Sequence, residues 1–377
     1  MTYGPVMNEL WSRVYEQERA KEVLTRLVQT RRVPHAFLFN GKEGVGKFFT
    51  AVQFAKILNS NSTRSPEKNE AIAKRIATLQ EPYIKLLIPL PRGKNETGDD
   101  SATEKLSADI MEVIRNEIHT KAQNPYYTIN IPDANTIKIN SVREIRQFVS
   151  MTHEDVEYRF ILINEAHLLN EQAQNSLLKN LEEPPEGIIF ILNCSEKEKL
   201  LPTIQSRCWE INFEPLSAKS ISDILVEYFH CEVQTADELS GFAEGSVKNA
   251  VSFLGDANLK EQLASTISVL RYSFARKYNS AYRELGAGTD QDNIRLLIKM
   301  IKIWLSELVK NKFLIQPSFF KDYEDTLSKF NFRYPGIDIA AIYSVLDELE
   351  GSIDKNVNLN VLYLNLIFEL ASLTMRK

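Results

Sequence analysis

The residues with the most chemistry in their spacing are Gly41-Lys42-Glu43-Gly44-Val45-Gly46-Lys47-Phe48. They satisfy every place but the last of the phosphate-loop pattern G-x-x-x-x-G-K-[ST]. In such a loop Gly41, Gly44 and Gly46 let successive backbone N–H groups turn inward on phosphate oxygens, and Lys47 reaches the outer phosphates. A hydroxyl in the last place holds Mg²⁺. Phe48 stands there instead and has no oxygen to offer a metal. The second half of such a site is an apolar strand ending in Asp-Glu, the Asp holding the metal and the Glu orienting the attacking water. Here the strand ends in Asn164-Glu165, and a neutral amide binds a hard cation much more weakly than a carboxylate does. With Phe48 and Asn164 both altered while the cradle and Lys47 persist, the residues predict a site that has given up hydrolysis and can at most still bind nucleotide.

The elements that must position these residues are legible on either side of them. Ala36-Phe37-Leu38-Phe39 reads as a buried strand, and Phe49 to Leu58 carries apolar residues at helical spacing. Strand, loop and helix is the context the motif requires. Upstream, Leu10 to Leu27 reads as an amphipathic helix and the turn that leads into it. Downstream, Asn59 to Asn69 and Pro89 to Ser101 are polar and rich in turn residues, and Ala71 to Gln80 and Glu104 to Thr120 are helix-like. Residues 60–124 are therefore expected to be an insertion, partly mobile, on the nucleotide-binding core. Regular alternation resumes with Ile137-Lys138-Ile139 and a helix from Ser141 to Met151, in which Ser141 and Glu144 make a capping-box pattern. Arg159 to Ile163 and Ile188 to Leu192 are buried strands. Between them lies a helix from Glu171 to Leu181, stopped by Pro184-Pro185.

The chain has 377 residues, enough for two or three domains, with a net charge of −5. That charge argues against coating nucleic acid unaided, because Lys and Arg neutralising phosphates dominate such binding. The first two dozen residues lack the apolar centre of a signal peptide, and no apolar run is long enough to span a membrane, so a cytoplasmic protein is expected. Cys194, Cys208 and Cys231 are too few and too scattered for a disulfide framework or a metal pair; they are expected to be reduced and mostly buried.

The run Asn175 to Pro185 (NSLLKNLEEPP), with Leu200 to Cys208 (LLPTIQSRC) and Pro34 to Phe39 before the loop, resembles the clamp-loader AAA+ family of bacterial DNA polymerase III. Within that family it is most similar to the branch whose nucleotide sites are commonly eroded, and the motifs cover about residues 10–250. The resemblance implies an α/β RecA-like AAA+ domain with a parallel sheet over residues 1–213. A small helical lid over 214–258 and an all-α collar over 259–377 would follow. It implies that Arg207, in Ser206-Arg207-Cys208, is an arginine finger reaching a neighbouring subunit's ATP; an arginine paired to a local carboxylate is the structural alternative. Cys194 or Ser195 takes the sensor-1 place, and Lys248 stands where an Arg normally reads the γ-phosphate, keeping the charge but losing the planar fork.

Two departures stand out. Many relatives carry a four-cysteine zinc module after the loop's helix, and residues 60–124 contain no cysteine, so no zinc is expected. Glu16 precedes Gln17 where relatives often have Gly, which bears on the adenine side. The resemblance implies a non-hydrolysing, stator-like subunit in DNA replication, with ATP or ADP held at most without turnover. Implied partners are the delta and gamma/tau subunits, the sliding clamp and, through the complex, primed DNA. A motor subunit of the same assembly and a stand-alone AAA+ remodelling protein are the alternatives. Arg143 and Arg146 are candidates to face DNA, against the simpler expectation of a solvated helix face. From Lys260 onward the chain reads as helices, with an apolar stripe of Ile294, Leu297, Ile298, Ile301, Trp304, Leu305 and Leu308.

Overall fold

A computed structural model describes residues 4–60, 64–151, 155–241, 243–254, 259–284, 291–315, 320, 323–353 and 357–373. The chain divides into two compact units, residues 1–252 and 253–377. The border expected at 258 falls on residues outside those described.

The first unit begins with α1 (Gly4–Ser12) and α2 (Glu18–Thr30), followed by β1 (Ala36–Asn40), α3 (Lys47–Asn59), α4 (Pro66–Ala77), β2 (Ile84–Leu87) and α5 (Ala108–Gln123). It continues with α6 (Ile139–Ser150), β3 (Arg159–Ile163), α7 (Glu171–Glu182), β4 (Ile188–Cys194), α8 (Pro202–Gln205) and β5 (Trp209–Asn212). Then come three short helices, α9 (Ala218–Phe229), α10 (Val233–Ser240) and α11 (Val247–Val251). All strands pair in parallel, in the order β2-β3-β4-β1-β5. Strands buried on both faces need near-continuous apolar sequence, and Phe37, Leu38, Phe39, Phe160 to Ile163 and Phe190 to Leu192 are fully buried. The chain leaves β1 for the far edge of the sheet and returns to its other side as β5. The phosphate loop therefore lies at the topological switch point, where open α/β sheets bind ligands.

Three expectations are corrected here. The insertion does not begin at 60, because α4 and β2 belong to the core: β2 pairs with β3 from Ile84–Phe160 to Leu87–Ile163. The added segment therefore lies between β2 and α6. Where regular alternation was expected to resume, Ile137 makes one isolated bridge to Leu169, and α6 starts at Ile139, ahead of the expected Ser141. The Ser141 capping box does not form: the N-cap is Lys138, and Glu144 instead accepts hydrogen bonds from Lys85 Nζ (3.0 Å) and Ala102 N (2.9 Å).

Without cysteines, the added segment is held by an apolar cluster of Ile88, Leu90, Ala102, Ile114 and Ile131 and by one buried ion pair. Lys138 Nζ donates to Glu96 Oε2 (2.7 Å) and to the carbonyls of Pro91 (2.9 Å) and Ala102 (3.1 Å). Glu96 also accepts from Gly93 N at 2.7 Å. Every donor of the ammonium is thus used, the condition under which a buried charge is tolerated. Arg143 is engaged locally, donating to the Gly98 carbonyl and standing 3.6 Å from Asp99.

The second unit holds α12 (Leu259–Phe274), α13 (Tyr278–Glu284), α14 (Gln291–Lys312), α15 (Glu324–Arg333), α16 (Ile339–Ile353) and α17 (Leu359–Leu373). The stripe from Ile294 to Leu308 is buried as its spacing predicts. Trp304 packs on Phe274 and Phe330, with ring centroids 5.9 and 4.8 Å away. Val361, Leu364 and Phe368, spaced for one helix face on α17, are exposed. No helix among the described residues is long and apolar enough to cross a membrane.

Candidate functional site: a closed phosphate loop

The loop joins β1 to α3, and its glycines are required by geometry. Gly44 (φ +72°) and Gly46 (φ +97°) lie in the left-handed region that side chains resist. A Cβ on Gly44 would stand 2.4 Å from Lys248 N, because the start of α11 rests directly on the loop. Ser246 Oγ donates to the Glu43 carbonyl (2.7 Å) and Val247 N to the Gly44 carbonyl (3.3 Å). Lys248 is ion-paired with Glu43. Lys248 is therefore bound to the loop's own carboxylate. Burial pushes the Glu43 carboxyl up, but the Lys248 charge and hydrogen bond outweigh it and hold the group below its ordinary value.

Lys47 is turned onto its own loop, donating to the carbonyls of Gly41 (2.5 Å) and Lys42 (2.6 Å). Burial lowers its amine to about 8, against the pull of Glu43. Asn164 Oδ1 accepts from Asn193 Nδ2 at 3.4 Å. The Glu165 carboxyl is raised by burial and then by Glu43. Asn193, Cys194 and Ser195 all line the same cavity, and of the three it is Asn193 that bonds to Asn164.

The far wall is supplied by the added segment, from α5 to residue 129. Lys121, Pro125, Tyr126, Tyr127, Thr128 and Ile129 line the cavity opposite the loop. Tyr126 packs on Phe49 (centroids 5.9 Å apart) and on Tyr228 (5.4 Å), and its hydroxyl would lie 3.4 Å from a Cβ on Gly46. Lys121 Nζ donates to the Pro125 (2.8 Å) and Tyr127 (2.6 Å) carbonyls and stands 4.5 Å from the centre of the Phe48 ring. Burial lowers the Lys121 amine to about 7. What remains is a cavity of about 60 Å³. That is small beside ligand pockets, which run from about 300 Å³ upward. The metal of a Mg-triphosphate does not fit these residues as they stand: Phe48 offers it no oxygen, and Asn164 offers a neutral amide, bonded to Asn193, in place of a carboxylate. Among the described residues no group of three or more His, Cys, Asp and Glu could hold a metal ion.

Sequence reasoning missed Lys121, Tyr126 and His167, whereas Asn193 lies in the cavity at the end of β4, where the strand's C-terminal end faces the crevice. Lys121 and Tyr126 sit in the added segment, where no local pattern ties them to the loop.

Glu16 and Gln17, expected on the adenine side, are both engaged in hydrogen bonds within the chain. Glu16 and Gln17 both have positive φ (51° and 62°). Glu16 accepts from Ser217 N (3.1 Å), Ser217 Oγ (2.5 Å) and Ser220 Oγ (2.6 Å), so it fastens the start of α9. Gln17 Nε2 donates to the carbonyls of Val45 (3.2 Å) and Glu214 (2.7 Å), and its Oε1 accepts from Glu214 N (2.9 Å).

Arg207 and Ser206 do not line this cavity. Arg207 follows α8, with Nη2 2.7 Å from Glu182 Oε1 and Nη1 donating to the Thr203 carbonyl at 2.9 Å. Ser206 Oγ also donates to the Thr203 carbonyl (3.1 Å). The cysteines are free, but only Cys194 is buried, so the expectation that most are buried is corrected.

One consequence for stability follows from Lys47. Its folded-state pKa of about 8 lies below the ordinary 10.5, so the unfolded chain binds more protons between those values. Stability should therefore rise with pH across that window, by up to about 1.4 kcal/mol per pH unit for one proton. Urea unfolding of Lys47→Met between pH 8 and 10 is expected to show a shallower rise than the parent chain.

A family described as DNA polymerase III, delta subunit, matches residues 16–217, more than half of the chain. The chain is 28% identical over 250 residues to the DNA polymerase III tau subunit of Bacillus subtilis, covering 65% of this chain and 37% of that protein. It is 27% identical over 222 residues to the delta' subunit of the same organism, covering 59% and 53%. The chain thus spans about a third to a half of the length of these curated relatives. Among solved structures, a gamma subunit-related protein of Thermotoga maritima aligns over 93% of this chain and 99% of that one, with 16% identity and a TM-score of 0.41.

Proposed function

The chain belongs to the DNA polymerase III delta-subunit family, and from that premise we propose that it acts in DNA replication as a delta-prime-like, non-hydrolysing subunit of a clamp-loader complex. In this reading residues 1–213 are the AAA+ domain, 214–258 the lid and 259–377 the collar. Its partners are delta and gamma/tau subunits, with the sliding clamp and primed DNA met through the complex. DNA synthesis itself belongs to another chain of the holoenzyme. This chain contributes Arg207 to a neighbour's ATP and stands as a fixed wall of the ring.

The observation that carries the proposal is the closed phosphate loop. Lys47 is spent on loop carbonyls, Phe48 offers no metal oxygen, Asn164 offers only an amide oxygen already bonded to Asn193, and Tyr126 and Lys121 line the side opposite. ATP or ADP binding, where it occurs, requires residues 125–129 to move aside. The similarity to tau subunits favours a second reading, an ATP-hydrolysing motor subunit. Turnover of Mg-ATP by the purified chain separates the two: the stator reading expects none above background, and hydrolysis abolished by Lys47→Ala overturns it.

A further inference from the structure

Phe48, Asn164 and Lys121 come from three separate elements, α3, the end of β3 and α5, and they meet at one cavity. Singly, each departs from what a phosphate loop needs. Together they make a consistent exchange. The place that calls for a hydroxyl presents an aromatic face, and an ammonium stands 4.5 Å from its centre. A desolvated ring face attracts a cation electrostatically, as a hydroxyl oxygen attracts a metal ion. The place that calls for a carboxylate presents an amide whose oxygen is already taken by Asn193.

The charges balance as well. A divalent ion beside an aspartate leaves one net positive charge, and a protonated Lys121 sharing the cavity with a neutral Asn164 leaves the same. Glu165 and Lys47 are the other charges that face Lys121. The ammonium is also positioned, because the Pro125 and Tyr127 carbonyls hold two of its three protons.

We propose that the Lys121 ammonium is a tethered replacement for the divalent metal of this site, which is thereby balanced for a phosphate-bearing anion without metal and excludes metal by occupying its place. The inference rests on the reading of the site as non-hydrolysing. Its test reads the Mn²⁺ dependence of ADP binding, whereas the non-hydrolysing reading is tested by Mg-ATP turnover of the purified chain, so the two failures are distinguishable.

The probe is ADP, titrated calorimetrically with Mn²⁺ or with a chelator. The parent chain is expected to show the same ADP affinity, or the same lack of it, in both conditions. Phe48→Ser/Asn164→Asp returns both metal oxygens with Lys121 in place and is expected to remain indifferent to Mn²⁺ within twofold. Adding Lys121→Gln, which keeps hydrogen-bond donors but removes the charge, should produce at least tenfold tighter ADP binding with Mn²⁺ than without. Lys121→Met is the second uncharged variant should Lys121→Gln fail to fold by circular dichroism. The proposal is overturned by tenfold Mn²⁺ dependence in the parent chain, by the same dependence in the double variant, or by a folded triple variant that gains none.

Discussion

Arg207→Ala, built into the assembled complex, is expected to lower ATP turnover at the adjacent subunit's site by about 10³-fold or more, the range an arginine finger commands. The fold should barely register the change. Arg207 and Glu182 are partly exposed, at 35% and 48% of their side-chain surface, and such surface pairs contribute about 1 kcal/mol or less. A structural arginine would give the opposite pattern, a loss of stability with turnover unchanged. Glu182 is the last residue of α7, where a carboxylate opposes the helix dipole. Its pairing with Arg207 offsets that, and the guanidinium stands outside the lining of the chain's own cavity. Arg207→Lys keeps the charge without the planar fork and should recover only a small part of the rate. Steady-state ATPase of the reconstituted complex decides the matter, and an unchanged rate removes Arg207 from the neighbour's chemistry.

The second large effect is expected at the buried pair that anchors the added segment. Lys138→Met leaves Glu96 with 6% of its side chain exposed and without its cation, while Lys138 itself is only 10% exposed. Removing one partner of a buried pair costs about 3–5 kcal/mol, and here the Pro91 and Ala102 carbonyls lose their donor as well. Urea unfolding should show that loss. The double variant Glu96→Gln/Lys138→Met should recover part of it, because no lone charge stays buried. Equal losses in the single and double variants would mean that backbone contacts, and not the ion pair, hold the segment. Because α5 and residues 125–129 form the far wall of the phosphate-loop cavity, Lys138→Met should also open the site to solvent, visible as faster amide exchange at Gly44 and Gly46.

What could be recognised in the sequence was whatever depends on short-range pattern. β1, the loop and α3 announce themselves by apolar run, glycine spacing and helical periodicity, and so do β3, β4, α7 and the buried face of α14. β2 was lost because Ile84-Lys85-Leu86-Leu87 is a four-residue edge strand set between Pro82 and Pro89, and only its pairing with β3 identifies it. Ile137 and Ile139 marked where regular elements resume but not which kind, because one apolar alternation fits a strand and a helix start equally well. Ser141 and Glu144 have capping-box spacing, yet Glu144 bonds to Lys85 and to Ala102 N, contacts more than forty residues away in sequence that no local rule foresees. The same holds at the site. Phe48 and Asn164 were visible as wrong residues in known places, whereas Lys121 and Tyr126 reach the loop only through the fold of the segment between β2 and α6.

Gln17 carries one more consequence. Its amide is bonded at both ends, to the loop at Val45 and to the backbone at Glu214, the stretch that leads from the sheet into α9. One side chain thus ties together three stretches that are far apart in sequence: the start of α2, the phosphate loop and the backbone ahead of α9. A displacement of the loop at Val45 is passed through the Gln17 amide to Glu214 directly, without travelling across the sheet.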